Sequence, residues 1–505
     1  MRFAVSTLLV VALAGADVSA ARAQASIPAS EFAARRDSLA ARVGDGVVVA
    51  FGGRTPVTDF GPFYQLPAFH YLTNYDEPDA ALVLVVEGGR ATGTLFVTPI
   101  EPRRALYYGR RPDSTEIARA TGLAARPFAG LAPTLDSLAA AGRPFWTLAD
   151  FAAADFARAD SLTRGQQFLK GLAARHPGLV VKDAHPLVDQ LRARKSPAEL
   201  ALIRRAAAAT VAGHLAAMRT AAPGLHEYDL QAVVEAAFLR AGGERPSYGS
   251  IVGAGPRGTQ LHYMKNRGPL RPGELVVIDA GTQVDGYAAD VTRTLPVSGT
   301  FTQEQRALYQ LVRDAQDAAE RHSRPGLSAR AAADSSVEVR ARGLAALGLI
   351  EGAEAQFDPP WPADCARAPQ ACRQVTLWTI HGISHGLGLE VHDPAQFYGG
   401  DRTFQPGDAF TIEPGIYVSG AVLDLLPDTP RNRAFIAKVR PVVARYENTG
   451  VRIEDDYVVT AQGTERITPA PREIAEIEAV MQSARKAAAK PAAKPAARGG
   501  AAHAR

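Results

Sequence analysis

The segment that decides the fold is LVVIDAGTQVDGYAADVTRT, which occupies residues 275–294. Four apolar residues run directly into Asp279, which is typical of a buried strand that ends in a carboxylate. Asp285-Gly286 is a turn sequence, after which the chain returns to Asp290. If the two arms are adjacent strands, Asp279 and Asp290 face each other. Either a cation lies between the two carboxylates, or one caps a turn and the other is solvated.

A second stretch, HGISHGLGLEVHD at residues 381–393, contains three of the chain's 11 histidines. These are His381, His385 and His392. A lone histidine is usually an ordinary core or surface residue, whereas three in one Gly-rich segment are typical of a functional site. The three glycines predict a tight, close-packed segment and not a surface helix.

Two further carboxylates follow apolar, strand-like runs. Glu413 lies in AFTIEPG and Glu454 lies in VRIED. Strand alternation places Arg452 and Glu454 on the same face. Taken singly, each glutamate is better explained as part of a surface salt bridge. Together with the two aspartates and a histidine they form a mostly oxygen ligand set, which suits Mn²⁺ and also Co²⁺ or Zn²⁺.

The charge of this residue set favours two metal ions. Four carboxylates carry a charge of −4, which two divalent cations balance and one cation leaves at −2. Two ions a few Å apart hold a bridging hydroxide and polarise a carbonyl group. The sequence therefore predicts a hydrolytic site.

The ordered segments resemble the pita-bread metallopeptidases, the family of aminopeptidase P, prolidase, methionine aminopeptidase and the metal-free creatinase. The matching segments are VVIDAG, YAADVTRT, HGISHGLGLEVHD, TIEPGIY and VRIEDDYVVT. They occur in the family's order and cover about residues 196–480. His262, which lies 17 residues before Asp279, also fits. The implied fold class is an α+β pita-bread catalytic domain preceded by a smaller α/β creatinase-like domain.

The resemblance also implies the roles of individual residues. The implied metal ligands, with Asp290 and Glu454 bridging, are Asp279, Asp290, His385, Glu413 and Glu454. The implied catalytic residues are His262, His381, His392, Glu413 and Arg452. Glu413 would take a proton from the attacking water, and the histidines would bind substrate and stabilise the tetrahedral intermediate. Arg452 would orient Glu454 or hold substrate.

The first half of the chain is similar to the N-terminal domain of aminopeptidase P and prolidase, in FYQ (63–65), FHYLTN (69–74) and YGRR (108–111). Methionine aminopeptidases lack that domain. The implied activity is removal of the first residue from peptides with proline in second position. Prolidase activity on dipeptides stays open, as does a non-catalytic peptide-binding module on the same fold. Members of the family are often dimers or tetramers, which leaves a homo-oligomer open.

Two other motifs predict different chemistry and are disfavoured. Residues 253–258 match GxGxxG, but Pro256 opposes the helix that would bind a pyrophosphate. Residues 382–386 match GxSxG, yet only His392 and His503 follow them, so the downstream triad of a serine hydrolase is missing.

The chain has 505 residues, of which 47% are hydrophobic and 21% charged, which excludes wholesale disorder. The net charge is +4, but residues 485–505 contribute six cations and the first 23 residues a net +1, which leaves −3 for the body. Nothing therefore points to a nucleic-acid partner. The expected divisions are a signal peptide (1–23), an N-terminal domain (28–192), a catalytic domain (196–480) and a disordered basic tail (484–505).

The N-terminus predicts export. Arg2 precedes a short apolar run, and Ala21-Arg22-Ala23 gives a cleavage site before Gln24. We therefore expect a periplasmic or extracellular protein with no stable membrane insertion. In an oxidising compartment, Cys365 and Cys372 predict a local disulfide.

Overall fold

A computed structural model describes residues 26–56, 61–148, 164–393 and 402–488. The predicted signal peptide (1–23) and most of the predicted tail lie outside the described residues. The described ranges form two domains, each with its own sheets, joined at residues 193–196.

The N-terminal domain is built on one six-stranded sheet. Its strands are β1 (Gly46–Phe51), β2 (Ala81–Glu87), β3 (Arg90–Val97), β4 (Ala124–Pro127), β5 (Phe145–Thr147) and β6 (Val181–Asp183). The strand order is β4-β3-β2-β1-β5-β6, parallel at β3–β4, β1–β5 and β5–β6 and antiparallel elsewhere. Its helices are Ala29–Val43, Pro67–Thr73, Pro102–Tyr108, Ser114–Thr121, Leu131–Ala140, Arg164–Arg175 and His185–Arg192.

Alternation along β1 explains why this strand is central. Val48 packs on one face with Leu39, whereas Val47 and Val49 pack on the other face with Leu135. All six residues of the strand are buried. A strand that reads as continuously apolar is therefore covered by helices on both faces.

The catalytic domain begins at a capping box. Ser196 Oγ accepts a hydrogen bond from the backbone N–H of Glu199 at 3.2 Å, and the Glu199 carboxylate accepts one from the Ser196 N–H at 2.8 Å. Pro197 occupies the first helical position. These contacts satisfy amides that a helix start leaves unpaired, which explains why the helix begins here.

Helices and four small sheets follow in this domain. The helices are Pro197–Thr220, Glu227–Arg240, Gln303–His322, Ala329–Leu347, Pro430–Val443 and Ile474–Ala488. The strands are β7 (Arg245–Pro246), β8 (Ile251–Ala254), β9 (Leu275–Asp279), β10 (Thr282–Val284), β11 (Tyr287–Ala288), β12 (Thr292–Pro296), β13 (Ala409–Ile412), β14 (Gly415–Val418), β15 (Thr449–Arg452), β16 (Asp455–Thr460) and β17 (Gly463–Arg466). They pair in the orders β11-β10-β7, β12-β9-β8, β13-β16-β17 and β14-β15. Within the described ranges, no helix has the length and apolar character that crossing a membrane requires.

Arg293 joins β12 to the segment between β15 and β16. Its fully buried guanidinium donates to the carbonyl oxygens of Thr292 at 2.8 Å and Glu454 at 2.6 Å. It also binds the Asp455 carboxylate at 2.6 Å and the carbonyl oxygen of Ala470 at 2.9 Å. These bonds hold β12, which follows Asp290, next to the segment that contains Glu454.

The first helix, Ala29–Val43, belongs to both domains. Leu39 and Val43 pack in the N-terminal core. Phe32, seven residues before Leu39 in the same helix, packs in a cluster of the catalytic domain that includes Leu202 and Tyr287. The two domains are therefore joined by apolar packing as well as by the linker.

The C-terminal helix extends beyond its expected end. We expected a tail from residue 484, but the helix Ile474–Ala488 continues through that boundary. Arg485 explains the difference, because its guanidinium donates to the carbonyl oxygens of Val297 at 2.7 Å and Ala221 at 3.2 Å. A residue counted in the basic tail is therefore bound to the catalytic domain.

The predicted disulfide is present between Cys365 and Cys372, in the segment between the helix Ala329–Leu347 and β13. We expect the double substitution Cys365→Ser/Cys372→Ser to lower the free energy of unfolding by about 2 kcal/mol, because a short loop loses its cross-link. Urea unfolding of the variant and of the oxidised parent would measure the difference. Activity should stay within about twofold of the parent, since neither cysteine contacts the residues of the predicted site. Loss of activity without loss of stability would contradict this.

Candidate active site

The two predicted aspartates lie together at the end of β9. β9 and β12 pair antiparallel with Thr292 opposite Asp279, so Asp290 lies two residues before the paired strand. The Tyr248 hydroxyl donates to Asp279 Oδ1 at 2.5 Å and also to Asp290 Oδ1. Gly281 permits this approach, because a Cβ atom there would lie 1.8 Å from the carbonyl oxygen of Ala289.

The histidine segment runs beside β13 and contains no helix, in keeping with the tight, close-packed segment that its glycines predict. Its backbone is fixed by the bond from Thr411 N to the carbonyl oxygen of His385 at 3.0 Å and by that from Glu413 N to Ile383 at 2.8 Å. His385 Nδ1 donates to the carbonyl oxygen of Gly386 at 3.0 Å. The other ring nitrogen, Nε2, is therefore directed toward the carboxylates.

Three carboxylates surround His385 Nε2. The nearest oxygens are those of Glu413 at 3.4 Å, Asp290 at 3.5 Å and Glu454 at 3.8 Å. Ligand atoms of Asp290, His385 and Glu454 lie within 4.8 Å of one another, and all three residues are buried. This geometry is that of a group able to hold a metal ion.

Thr292 connects Glu454 to Arg452. The Thr292 hydroxyl donates to Glu454 Oε2 at 2.7 Å and accepts from Arg452 Nε at 3.1 Å. The Arg452 guanidinium also binds the Asp279 carboxylate. Arg452 and Glu454 thus share one side of the chain, as strand alternation predicted, and the arginine lies between two of the predicted ligands.

A hydrogen-bond chain continues from Arg452 to His381. Arg452 Nη1 donates to the Tyr417 hydroxyl at 2.6 Å, and that hydroxyl lies 2.8 Å from His381 Nε2. His381 Nδ1 donates to the carbonyl oxygen of Gly382 at 2.6 Å, so Nε2 accepts from Tyr417. Burial, with Arg452 nearby, lowers the pKa of His381 to about 3 and keeps the ring neutral. Gly415 leaves room, because a Cβ atom there would lie 2.4 Å from the Tyr417 oxygen.

The cluster is strongly acidic for a buried site. Burial raises the pKa of Glu413 to about 7, and burial with repulsion from Asp290 raises that of Glu454 well above its usual value. Burial opposes protonation of His385, but its hydrogen bond to Asp290 and the charge of Glu413 raise its pKa to about 9. Groups that attract a proton this strongly also attract a cation, which would relieve the same repulsion.

The remaining predicted histidines lie at the rim. His392 is exposed, and the centre of its ring is 4.1 Å from that of His385. His262 is exposed as well and lies close enough to His381 to affect its charge. All nine predicted residues are thus within the described ranges, with seven in the buried cluster or beside it and two at its edge.

Sequence reasoning missed four residues of the site: Tyr248, Thr292, Tyr417 and Arg340. Thr292 had a usable signal, since the hairpin register places it opposite Asp279. The two tyrosines had none, because each reaches the cluster from a strand or loop whose pairing is set by distant parts of the chain. Arg340 is fully buried and donates to the carbonyl oxygen of Gly415 at 3.3 Å.

Both domains match known families. Residues 201–461 match Metallopeptidase family M24, and residues 32–145 match the family described as Aminopeptidase P, N-terminal domain. The chain is 33% identical over 479 residues to the Xaa-Pro aminopeptidase of Escherichia coli (strain K12), covering 91% of this chain and 99% of that protein. It is 34% identical over 430 residues to the Xaa-Pro aminopeptidase of Haemophilus influenzae, covering 83% and 89%.

Solved structures show the same architecture. Proline aminopeptidase P II from Yersinia pestis has a TM-score of 0.74 at 30% identity, over 90% of this chain and 100% of that one. Aminopeptidase P from E. coli with the inhibitor Pro-Leu has a TM-score of 0.75 at 31% identity, over 91% and 99%. The predicted fold class, a pita-bread α+β domain after a smaller α/β domain, is confirmed. The chain belongs to metallopeptidase family M24, as a member that carries the aminopeptidase P N-terminal domain.

Proposed function

We propose that the protein is an Xaa-Pro aminopeptidase that works with two divalent metal ions, with Mn²⁺ as the proposed metal. The observation that carries the proposal is the buried group of Asp290, His385 and Glu454, with Asp279 and Glu413 beside it. The relatives named Xaa-Pro aminopeptidase, aligned over most of both chains, support the substrate class.

The charges of the site support two ions. Arg452 binds Asp279, so the four carboxylates and this arginine carry −3 together. Two divalent cations would bring the total charge of the site to +1, and one hydroxide ion would bring it to zero. A single cation would leave an uncompensated negative charge in a buried site, which is costly. Co²⁺ and Zn²⁺ suit the same ligands.

Each residue then has a role that its contacts support. Bound metal ions would supply Lewis-acid activation of a water nucleophile and of the scissile carbonyl. Glu413, whose carboxylate lies 3.4 Å from His385 Nε2 in the buried cluster, is placed to take a proton from that water. Arg452 holds Asp279 and, through Thr292, Glu454 in place. His262 and His392, at the rim, are placed to donate hydrogen bonds to the peptide, while neutral His381 faces the cleft.

The proposal also includes export. The predicted leader, residues 1–23, ends four residues before Ile27, which is packed against the catalytic domain. Cleavage before Gln24 would therefore leave the folded part of the chain intact.

Peptide cleavage tests the activity directly. We expect release of alanine from alanyl-prolyl-alanine with Mn²⁺ present, complete loss with a chelator, and little release from alanyl-alanyl-alanine. Mass spectrometry of the products measures the release of alanine, and alanyl-proline is tested in parallel. Cleavage of the dipeptide alone would show a prolidase. Tight metal binding without turnover of any of the three would favour the peptide-binding module.

Replacement of a predicted ligand tests the site. Asp290→Ala should lower kcat/KM by about 10³-fold or more, because it removes a carboxylate shared by the proposed ions. The far-ultraviolet circular dichroism should not change, since the substitution also removes a buried repulsive charge. The matched control is Asp285→Asn in the turn of the same hairpin. Asp285 has a positive φ of 52°, which asparagine also adopts readily. Full activity of Asp290→Ala would refute the assignment.

N-terminal sequencing tests export. A full-length chain expressed in a Gram-negative host should be recovered outside the cytoplasm with Gln24 as its first residue. Ala23→Leu should slow processing, because the cleavage site requires a small residue at this position. Recovery of the chain in the cytoplasm with Met1 intact would contradict the proposal.

A further inference from the structure

The linker between the domains contacts the loop that carries His392. Arg192, the last residue of the helix His185–Arg192, places Nη2 2.7 Å from Glu390 Oε2 and 3.0 Å from Asp393 Oδ2. Lys195 Nζ lies 3.4 Å from the carbonyl oxygen of Asp393. Arg192 and Asp393 are each 2% exposed, so this is a buried ion pair between the two domains.

Stability alone is a weak reason for this arrangement. Burial of charges costs several kcal/mol per ion before pairing, and apolar residues often replace such pairs without loss of stability. Two atoms of the pair, Arg192 Nε and Asp393 Oδ1, also lack hydrogen-bond partners among the described residues, although Lys195 Nζ lies 3.9 Å from that oxygen. A buried pair with such a cost is expected to fix a particular geometry.

Asp393 makes hydrogen bonds within its own loop, residues 386–393. Its N–H donates to the carbonyl oxygen of Gly386 at 2.9 Å, and its Oδ2 accepts from the N–H of Glu390 at 3.3 Å. Gly388 leaves the space for the carboxylate, since a Cβ atom there would lie 2.2 Å from Asp393 Oδ2. Residues 386–393 thus form a closed loop around one carboxylate.

This loop places His392 against the site. His392 directly precedes Asp393 and its ring lies against that of His385, with 4.1 Å between ring centres. Leu389, in the same loop, packs against the cores of both domains. His392 thus lies in a loop that is contacted by the N-terminal side of the chain as well as by the catalytic domain.

We propose that Arg192 is a positioning residue: its buried ion pair with Asp393 holds the loop 386–393 and so the imidazole of His392 at the substrate. The kinetic part of this inference rests on the proposed peptidase function. The structural part does not, because the order of the loop is measurable without turnover.

Hydrogen–deuterium exchange of the manganese-loaded full chain tests the structural part. Arg192→Met should speed exchange at the amides of Gly388, Glu390 and Asp393 by about tenfold or more. The Glu390 N–H binds the held carboxylate, and the N–H groups of Gly388 and Asp393 bind the carbonyl oxygens of Glu390 and Gly386 within the same loop. Arg192→Lys, which keeps the charge, should show a smaller increase. The matched control is Arg35→Met: Arg35 is also buried and lies 3.4 Å from Glu199 across the domains. Its hydrogen bonds among the described residues go to Glu31 and to the carbonyl oxygen of Tyr71, outside residues 386–393. Unchanged exchange in Arg192→Met, or an equal increase in the control, would overturn the proposal.

A double-mutant cycle with His392→Ala tests the kinetic part. We expect Arg192→Met to lower kcat at least about tenfold in the parent and less than about twofold in the His392→Ala background, with little change in KM. A general loss of stability would instead lower kcat by the same factor in both backgrounds, which would overturn the proposal. If the parent cleaves no Xaa-Pro peptide, the proposed function fails and the exchange result still decides the positioning role.

Discussion

The repulsion among four carboxylates in one buried cleft is the constraint on which the rest of the structure depends. Asp279 and Asp290 come from one hairpin, and Glu413 and Glu454 come from two later segments. Asp290, Glu413 and Glu454 surround His385 Nε2, and Tyr248 links Asp279 to Asp290. In the absence of compensation, such charges push one another apart or take up protons. The backbone around them must therefore be held by contacts that are stronger than this repulsion.

Arg452 and Arg293 oppose this repulsion in two different ways. Arg452 enters the cluster itself, where it reaches Asp279 and the Thr292 hydroxyl. Arg293 lies behind it and binds backbone carbonyl oxygens, including that of Glu454. The first lowers the charge of the site, and the second fixes strands without contacting a ligand side chain. A lysine could not replace Arg293, because an ammonium group has three N–H donors, whereas Arg293 makes the four bonds described above and a fifth to the carbonyl oxygen of Pro471 at 2.8 Å.

Much of this site could be predicted from the sequence, because its signals are local. Asp279 and Asp290 lie in one hairpin with a turn sequence, and the histidines share one short segment. Tyr248 could not be predicted, since its reach to both aspartates depends on the pairing of Ser247 N with the carbonyl oxygen of Gly281 far along the chain. The predicted start of the tail at residue 484 was wrong for a related reason. The composition indicated disorder, whereas Arg485 donates to the carbonyl oxygen of Val297, which lies far away in the sequence.

The shared helix Ala29–Val43 has a consequence for the order in which the chain folds. Phe32 leaves the ribosome early, yet its partners include Tyr287 and residues as late as Ile467. Contacts across such separations must wait for loop closure, and they slow folding. The N-terminal core around Leu39 can form first, while the other face of the same helix remains exposed until almost the whole chain has been made. Folding must therefore wait for nearly the whole chain, because the helix Ala29–Val43 can complete its packing only when residues as late as Val458 and Ile467 are available.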